Sequence, residues 1–335
     1  MKKALFCKVV IVMLFAVALV FCNVTFTEAA TSKLEHVFKM GDEQPGDAVQ
    51  GITDDVFANL VFEKTNGRIK IEVYHNGQLG VENEMIQQLQ FGGLDFAQVS
   101  ISPLAEFASD LNVLQLPYLY NNSEHQWKVL ESEIGDHFLA STEKAGIKGL
   151  AWIDGGARSF YTKKKVTCAA DIKGLKIRVQ SSKLMMDMVK ALGGVPQAIP
   201  YSDVYSALQT GVIDGAENNF PSYIDTSHYE VCKYFIVDAH TRVPDVIVCS
   251  TKTWEKLSAK DKTIIAECAK EAQNDHRKRW EIAEAKAKKK AIDMGCIITE
   301  PKDIKDFQKA VSGLYKSNEM QKYSEWIEKI RAMAK

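Results

Sequence analysis

The sequence has almost no charge excess of either sign: 42 Lys and Arg stand against 43 Asp and Glu, a formal net charge of -1 at pH 7. Phosphate backbones are bound by concentrated basic surface, so no nucleic-acid partner is expected. The dense run Lys286–Lys290 lies in the stretch AEAKAKKKAI and reads as the solvated face of a helix. No glycine-proline or glutamine-rich tract occurs, so nothing reads as low complexity. The signatures HExxH, GxSxG, Walker A and GxGxxG are all missing. The 7 histidines are scattered, with no pair at i, i+4 that one helix face could offer to a metal. Asp42-Glu43 and Asp54-Asp55 are adjacent acids rather than a spaced acid and base. The expectation is therefore a protein that is not an enzyme, with no catalytic residue, metal or cofactor.

Cysteine spacing excludes the common zinc and redox motifs, since no CxxC occurs among the 7 cysteines. Beyond the first thirty residues, Cys168, Cys232, Cys249, Cys268 and Cys296 remain, an odd set that cannot all pair within one chain. They read mainly as small buried hydrophobes, with disulfide pairing left open. A full membrane span is also missing. The apolar run Val9–Cys22 falls short of the roughly 20 residues a spanning helix needs. Lys2 and Lys3 precede that run and Ala29-Ala30 follow it, the three-part grammar of a secretory signal. Residues 1–30 are expected to be a cleavable signal peptide, with the mature chain in the periplasm. Phe21 before Cys22 argues against lipid anchoring.

What is present is ordinary globular composition, 46% apolar and 25% charged over 335 residues, enough for about two domains. Ile69, Ile71 and Val73 alternate with charged residues in RIKIEVY, the period of a half-buried strand. Val49, Ile52, Val56, Leu60 and Val61 recur at helical spacing before it, and Asn66-Gly67 marks the stop. Gly77-Gln78-Leu79-Gly80 predicts a turn, followed by a helix carrying Met85, Ile86 and Leu89. Such alternation implies α/β layers with a substantially parallel sheet. From Ser258, an N-cap, no proline or glycine interrupts the chain until Gly295. One long helix across two lobes, or two helices with a kink, would account for that.

A short internal repeat is the most informative pattern. LQFGGLDFAQ begins at Leu89 and LQTGVIDGAE at Leu208, matching Gly92 with Gly211, Asp95 with Asp214 and Ala97 with Ala216. Each copy reads as a helix ending at glycine and a strand that follows at once. Ligands of open α/β sheets sit beyond strand carboxyl ends, so two equivalent ends predict two lobes sharing a cleft. Gln98 to Ser100 follow in one copy and Glu217, Asn218 and Asn219 in the other. Arg178 closes the segment LKIRV ahead of Gln180, Ser181 and Ser182, and Arg158 follows Gly155-Gly156. Arginine at a strand end suits a carboxylate, because its planar fork makes two parallel hydrogen bonds. Paired asparagines suit hydroxyls. Each also has a plainer reading: a surface ion pair for the arginines, a helix cap for Asn218-Asn219. Trp152, Phe160 and Tyr161 read as core or cleft wall.

Six segments in order make the chain resemble the solute receptors of tripartite ATP-independent periplasmic (TRAP) transporters, the DctP-type family. They are NGQLGVENEMIQQLQFGGLDF at 76–96, LPYLY at 116–120, GARSFY at 156–161, DIKGLKIRVQ at 171–180, YSDVYSALQTGVIDGAENNFPSY at 201–223 and HYEVCKYF at 228–235. The resemblance implies a two-lobed α/β periplasmic-binding-protein-like fold, with a ligand cleft between the lobes, a crossing-strand hinge and a long helix spanning both. Lobe I is expected at 31–154 plus about 244–284, and lobe II at 155–243 plus about 285–335. The resemblance further implies that Arg178 grips a ligand carboxylate, with Arg158 and Asn218 as further contacts. GDEQPGD at 41–47, with GARSFY and AENNFPSY, is similar to the branch that binds hexuronates such as glucuronate and galacturonate. Asn219, Glu43, Gln44 and Glu82 are then expected at ring hydroxyls, with Gln98, Ser100, Gln180, His240 and Arg242 as further candidates. The expected partners are a small sugar acid and the TRAP membrane permease, and the chain is expected to be a monomer. A sensor subunit for a receptor kinase, or a binder of sialate, a C4-dicarboxylate or a 2-oxo acid, is the alternative.

Overall fold

Residues 33–334 are described in the computed structural model, so the expected signal segment at 1–30 lies outside the described residues. Twelve strands form among them. The first four are β1 (His36–Gly41), β2 (Ile69–Tyr74), β3 (Phe96–Ser100) and β4 (Ile147–Ile153). They are followed by β5 (Ala157–Thr162), β6 (Lys176–Val179), β7 (Val195–Ala198) and β8 (Gly215–Asn218). The last are β9 (Tyr234–Ile236), β10 (Thr241–Arg242), β11 (Asp245–Ser250) and β12 (Ile297–Thr299). One sheet has the order β2-β1-β3-β11-β4 and the other β12-β9-β5-β8-β6-β7, with β10 paired to β5. Strands joined by helical crossovers, such as β1 with β2 and β6 with β7, pair in parallel, while β11 runs antiparallel to β3 and β4. The expected α/β class and its two sheet-centred halves are therefore present.

Side-chain alternation puts a core on both faces of each sheet. In β11, Val246 and Val248 join one buried cluster while Ile247 and Cys249 join the other. In the second sheet, Tyr161, Ala216 and Phe235 face one cluster, and Phe160, Ile177 and Ile236 face its counterpart. This period of two, apolar on both faces, marks sheets covered by helices on each side.

The internal repeat is structural. The helices Glu82–Phe91 and Val204–Thr210 end at Gly92 and Gly211, whose φ of 75° and 81° a side chain would resist. The aspartate that follows does the same job in both copies. Asp95 accepts from Lys39 N at 3.0 Å, and Asp214 accepts from Lys176 N at 2.9 Å. Each thereby ties the incoming strand, β3 or β8, to its parallel neighbour, β1 or β6.

The chain crosses between the sheets from β4 to β5, through Gly156 at a φ of 62°, and from β10 back to β11. Gly155 lets the two crossings touch, because a Cβ there would lie 2.2 Å from Val243 O. A third connection is one continuous helix, Ala259–Asp293, capped by the Ser258 hydroxyl, which accepts from Asp261 N at 3.1 Å. Ile265, Cys268, Ala269 and Ala272 on it join the first half's core, and Ala287 and Ala291 join the second's. Near its middle, His276 bonds Thr53 Oγ1 at 2.8 Å and Asp154 O at 3.0 Å.

Two expectations shift. Phe307 and Val311 pack in the second half, as a lobe II segment should, but Met320, Tyr323, Ile327 and Ile330 return to the core of the first. His125 Nε2 bonds Ile330 O at 2.8 Å there. The segment 285–335 is thus not of one lobe: its last helix puts Ile327 and Ile330 into the same cluster as Trp127, Ile134 and Phe138. Second, the helix Val49–Lys64 leaves Val49, Ile52, Val56 and Leu60 half-buried, while Gln50, Thr53, Asp54, Phe57, Ala58 and Val61 are buried. Its most buried stripe is thus partly polar. All five described cysteines are free thiols, four of them buried. No helix among the described residues is long and apolar enough to cross a membrane.

Candidate functional site

The carboxyl ends of β3, β6 and β8 and the first crossing converge on one polar cavity. Glu43, Gln44, Glu82 and Ser100 line it from the first half, and Arg158, Gln180, Asn218 and Asn219 from the second. Arg178 lines an adjoining pocket that shares Glu43, Glu82 and Tyr201 with the first. Nine of the twelve candidate residues are thereby brought together. Gln98, His240 and Arg242 are not among the lining residues. Gln98 is buried in β3 opposite Ile247, and Arg242 pairs with Ala157 at the crossing. His240 stands behind the cavity wall, against Glu217.

The two arginines differ in what they have left to give. Arg158 donates through Nε and Nη2 to the Glu217 carboxylate, through Nη2 to Glu217 O at 2.8 Å, and through Nη1 to Asn218 Oδ1 at 2.9 Å. That uses four of its five N–H donors. Burial works against its charge, but the Glu217 carboxylate more than offsets this and holds the guanidinium above its ordinary value. Arg178 is 2% exposed, and the hydrogen bond of its guanidinium is Nε to Ile199 O at 2.8 Å. Both terminal nitrogens, the edge that makes a two-point clasp, are uncommitted. Burial pushes this guanidinium below its ordinary value, which Glu217 only partly counters. A buried cation so placed is stabilised by an anion that brings two oxygens.

Behind Arg158 lies a relay of alternating charge. Glu217 Oε2 meets His240 Nε2 at 3.3 Å, and His240 Nδ1 meets Asp238 Oδ2 at 2.9 Å. Burial opposes the Glu217 charge, yet Arg158 and His240 bring its carboxyl down to about 2. His240 is raised to about 9 because Asp238 and Glu217 outweigh its burial. Asn219 is half committed: its Oδ1 caps the helix Phe220–Asp225 through Ser222 N at 2.7 Å, and Nδ2 donates to Gly155 O at 2.8 Å. The cap reading and the cavity reading of Asn219 thus both hold. Asn218 has spent its oxygen on Arg158 and Asn219 N, which leaves its amide hydrogens to offer.

The first-half wall is acidic. Burial, then the neighbouring Glu82, raises Glu43 to about 8. Burial likewise raises Glu82 to about 8, although its Oε1 accepts from Ser100 N at 2.6 Å. Asp245 joins them, raised by burial to about 7 despite Arg158 nearby. Asp245, Gln50, Tyr201 and Ser222 also line the cavity and escaped the sequence reading. Asp245 begins its strand, where the strand-end rule does not look. Because β11 is antiparallel to β3, that first residue lies opposite Ser100, the last of β3.

Several known proteins have this architecture. The family model for bacterial extracellular solute-binding protein, family 7, matches residues 40–322. A solute-binding protein of Chromohalobacter salexigens is 37% identical over 260 residues, covering 77% of each chain. A TRAP periplasmic solute binding protein of Bradyrhizobium, solved in complex with α/β-D-galacturonate, superposes with a TM-score of 0.85 at 35% identity, over 88% of this chain and 99% of its own. Another from Anaerococcus prevotii, with bound α/β-D-glucuronate, gives a TM-score of 0.86 at 35% identity, over 89% and 98% of the two chains.

Proposed function

The chain belongs to the bacterial extracellular solute-binding proteins of family 7, and from that premise we propose that it is the TRAP receptor for a hexuronate such as D-glucuronate or D-galacturonate. This family comprises receptors that bind small molecules outside the cytoplasm and work with a membrane permease, and it is not an enzyme class. The observation that carries the reading is Arg178, a buried guanidinium with both terminal nitrogens uncommitted. Those nitrogens take the uronate carboxylate side-on. Arg158 contributes its one remaining donor, and the Asn218 amide donates beside it. Glu43, Glu82 and Asp245 then accept from ring hydroxyls across the cavity. Relatives solved with galacturonate and glucuronate support the ligand class.

Because the ligand would touch both halves, it stabilises the closed arrangement over any open one, and a single monomeric receptor offers that closure to the permease. A ligand that binds only the folded state raises its stability by about 2.7 kcal/mol at a hundredfold excess over Kd. A thermal-shift comparison of D-glucuronate, D-galacturonate, N-acetylneuraminate, succinate and pyruvate tests the reading. The hexuronates are expected to raise the melting temperature at the lowest concentrations. Stabilisation by succinate or pyruvate alone would overturn it.

A further inference from the structure

Beside the sugar-acid cavity, three ionisable side chains meet that no single stretch of sequence could have revealed. Asp42 directly follows β1 and His75 directly follows β2, and the last residues of those strands, Gly41 and Tyr74, are register partners. Asp54 reaches them from the second turn of the helix Val49–Lys64, on the polar stripe that turned out to be buried. One ligating atom of each lies within 4.8 Å of the others.

What marks this cluster is that its ligating atoms face one another, Asp42 toward both Asp54 and His75, with no partner from outside the cluster. Asp54 is fully buried, yet neither of its carboxylate oxygens has a hydrogen-bond partner. Asp42 is 2% exposed; its Oδ1 accepts from Gln44 N at 2.9 Å, while Oδ2 has no partner. His75 Nδ1 likewise has none and lies 3.6 Å from Asp42 Oδ2. The other ring nitrogen is engaged: His75 Nε2 meets Asp55 Oδ1 at 3.3 Å. That arrangement, one nitrogen turned to a cluster of carboxylates and the other on an outer carboxylate, is how metal-bound imidazoles are held. Two buried carboxylates side by side are costly without a positive charge between them.

We propose that Asp42, Asp54 and His75 form a site for one divalent transition-metal ion, with Zn2+ as the fitting occupant. Three protein ligands that include an imidazole nitrogen suit zinc, which fills a fourth position with water. Ca2+ takes about six to eight oxygens, more than this cluster supplies. Zinc ligand atoms stand about 3.3 Å apart in a tetrahedron of ~2 Å bonds; His75 Nδ1 and Asp42 Oδ2 at 3.6 Å are near that spacing, and an atom at the 4.8 Å limit would close by about 1.5 Å. An ion here would fasten the corner that carries Glu43 and Gln44 into the cavity. It would act on the first half's wall without touching Arg178 or Arg158.

The test uses the untagged full-length mature protein, stripped with a chelator, dialysed, and titrated with ZnCl2 in a calorimeter with no sugar acid present. Saturable binding of one Zn2+ per chain at micromolar concentration or below is expected, together with a raised melting temperature. His75→Gln and Asp54→Asn are each expected to weaken binding at least a hundredfold, and Asp55→Asn about tenfold through loss of ring orientation. An excess of Ca2+ or Mg2+ is expected not to displace the zinc. Failure of the wild-type protein to bind stoichiometrically overturns the proposal without recourse to any variant. So does equal binding by His75→Gln, which would locate the zinc elsewhere, for instance on a free thiol. Asp54→Asn raising the melting temperature of a protein that binds no zinc would identify a shared proton between the two carboxyls instead. Because no sugar acid is present, none of these outcomes bears on the hexuronate reading.

Discussion

On the second-sheet wall of the cavity, Arg158, Glu217, His240 and Asp238 form a chain in which each charge meets its opposite within hydrogen-bonding reach. On the first-sheet wall, Glu43, Glu82 and Asp245 face the same space with burial as the largest influence on each. One wall is finished by its own pairs; the other still waits in part, since Glu43 Oε1 has no partner although Glu82 Oε1 is taken by Ser100 N. Arg178 belongs to the finished wall by position but to the waiting one by chemistry, since its donor edge is unspent. The lesson concerns specificity: in the proposed receptor, the free edge of Arg178 beside a pre-paired wall would fix where the carboxylate goes, and the acidic wall would favour ligands that bring hydroxyls.

The largest way to break this contrast is Arg178→Ala. Two charge-assisted bonds contribute about 3–6 kcal/mol together, so hexuronate affinity by calorimetry is expected to fall at least a hundredfold while the fold persists. Arg178→Lys is expected to recover only part, because an ammonium lacks the planar fork. Unchanged affinity in the alanine variant would remove Arg178 from its role.

Next comes Glu217→Gln, which strikes the finished wall. It leaves the buried Arg158 without its counter-ion, and a loss of about 3–5 kcal/mol of unfolding free energy is expected by denaturant titration. A change below about 1 kcal/mol would show that the relay contributes little to stability.

The carboxyls of the two walls should also respond to pH with opposite signs. Glu43 and Glu82 are raised to about 8, so the stability they contribute is full below their ordinary range and is lost as pH rises toward 8. Glu217, held at about 2, contributes stability that is present above its ordinary range and lost as pH falls toward 2. His240, raised to about 9, contributes below its ordinary value and loses this as pH rises toward 9. The ligand-free melting temperature is therefore expected to decline from pH 5 to pH 8, and the Glu43→Gln, Glu82→Gln double variant to show a shallower slope. An equal slope in both proteins would disprove the assignment to this wall.

Asn219→Ala is the gentlest probe. Loss of the helix cap is expected to cost about 1 kcal/mol of stability, read by thermal melting. Hexuronate affinity should fall much less than in Arg178→Ala. The reverse ranking would make Asn219 chiefly a ligand contact.

Much of the frame was legible where local chemistry decides conformation. The glycine stops at Gly92 and Gly211, the strand Ile69–Tyr74 and the Ser258 cap of the long helix all follow from short-range rules. The repeat pointed to β3 and β8, whose ends reach the cavity through Ser100 and Asn218. What the sequence withheld was pairing between distant residues. Nothing local says that Arg158 spends four donors while Arg178 spends one, or that His240 serves behind the wall rather than in it. Asp245 was hidden because an antiparallel return brings a strand's beginning to the functional edge. In the helix Val49–Lys64 the apolar spacing gave the helix, but not that Gln50, Thr53 and Asp54 would be buried beside Phe57 and Val61. The final helix was assigned to the wrong half, because an amphipathic face does not say which core it joins.

The unbroken helix Ala259–Asp293 has a mechanical meaning when set beside the two strand crossings. With the C-terminal return to the first core, four passages of chain bind the halves, and His276 pins the helical one to Thr53 on one side and to the Asp154 crossing on the other. A seam stitched at several points resists sliding, so relative motion of the halves would be a bend. Under the proposed function, a ligand touching both halves would have its arrival converted into that bend. The permease would then need to measure only an angle.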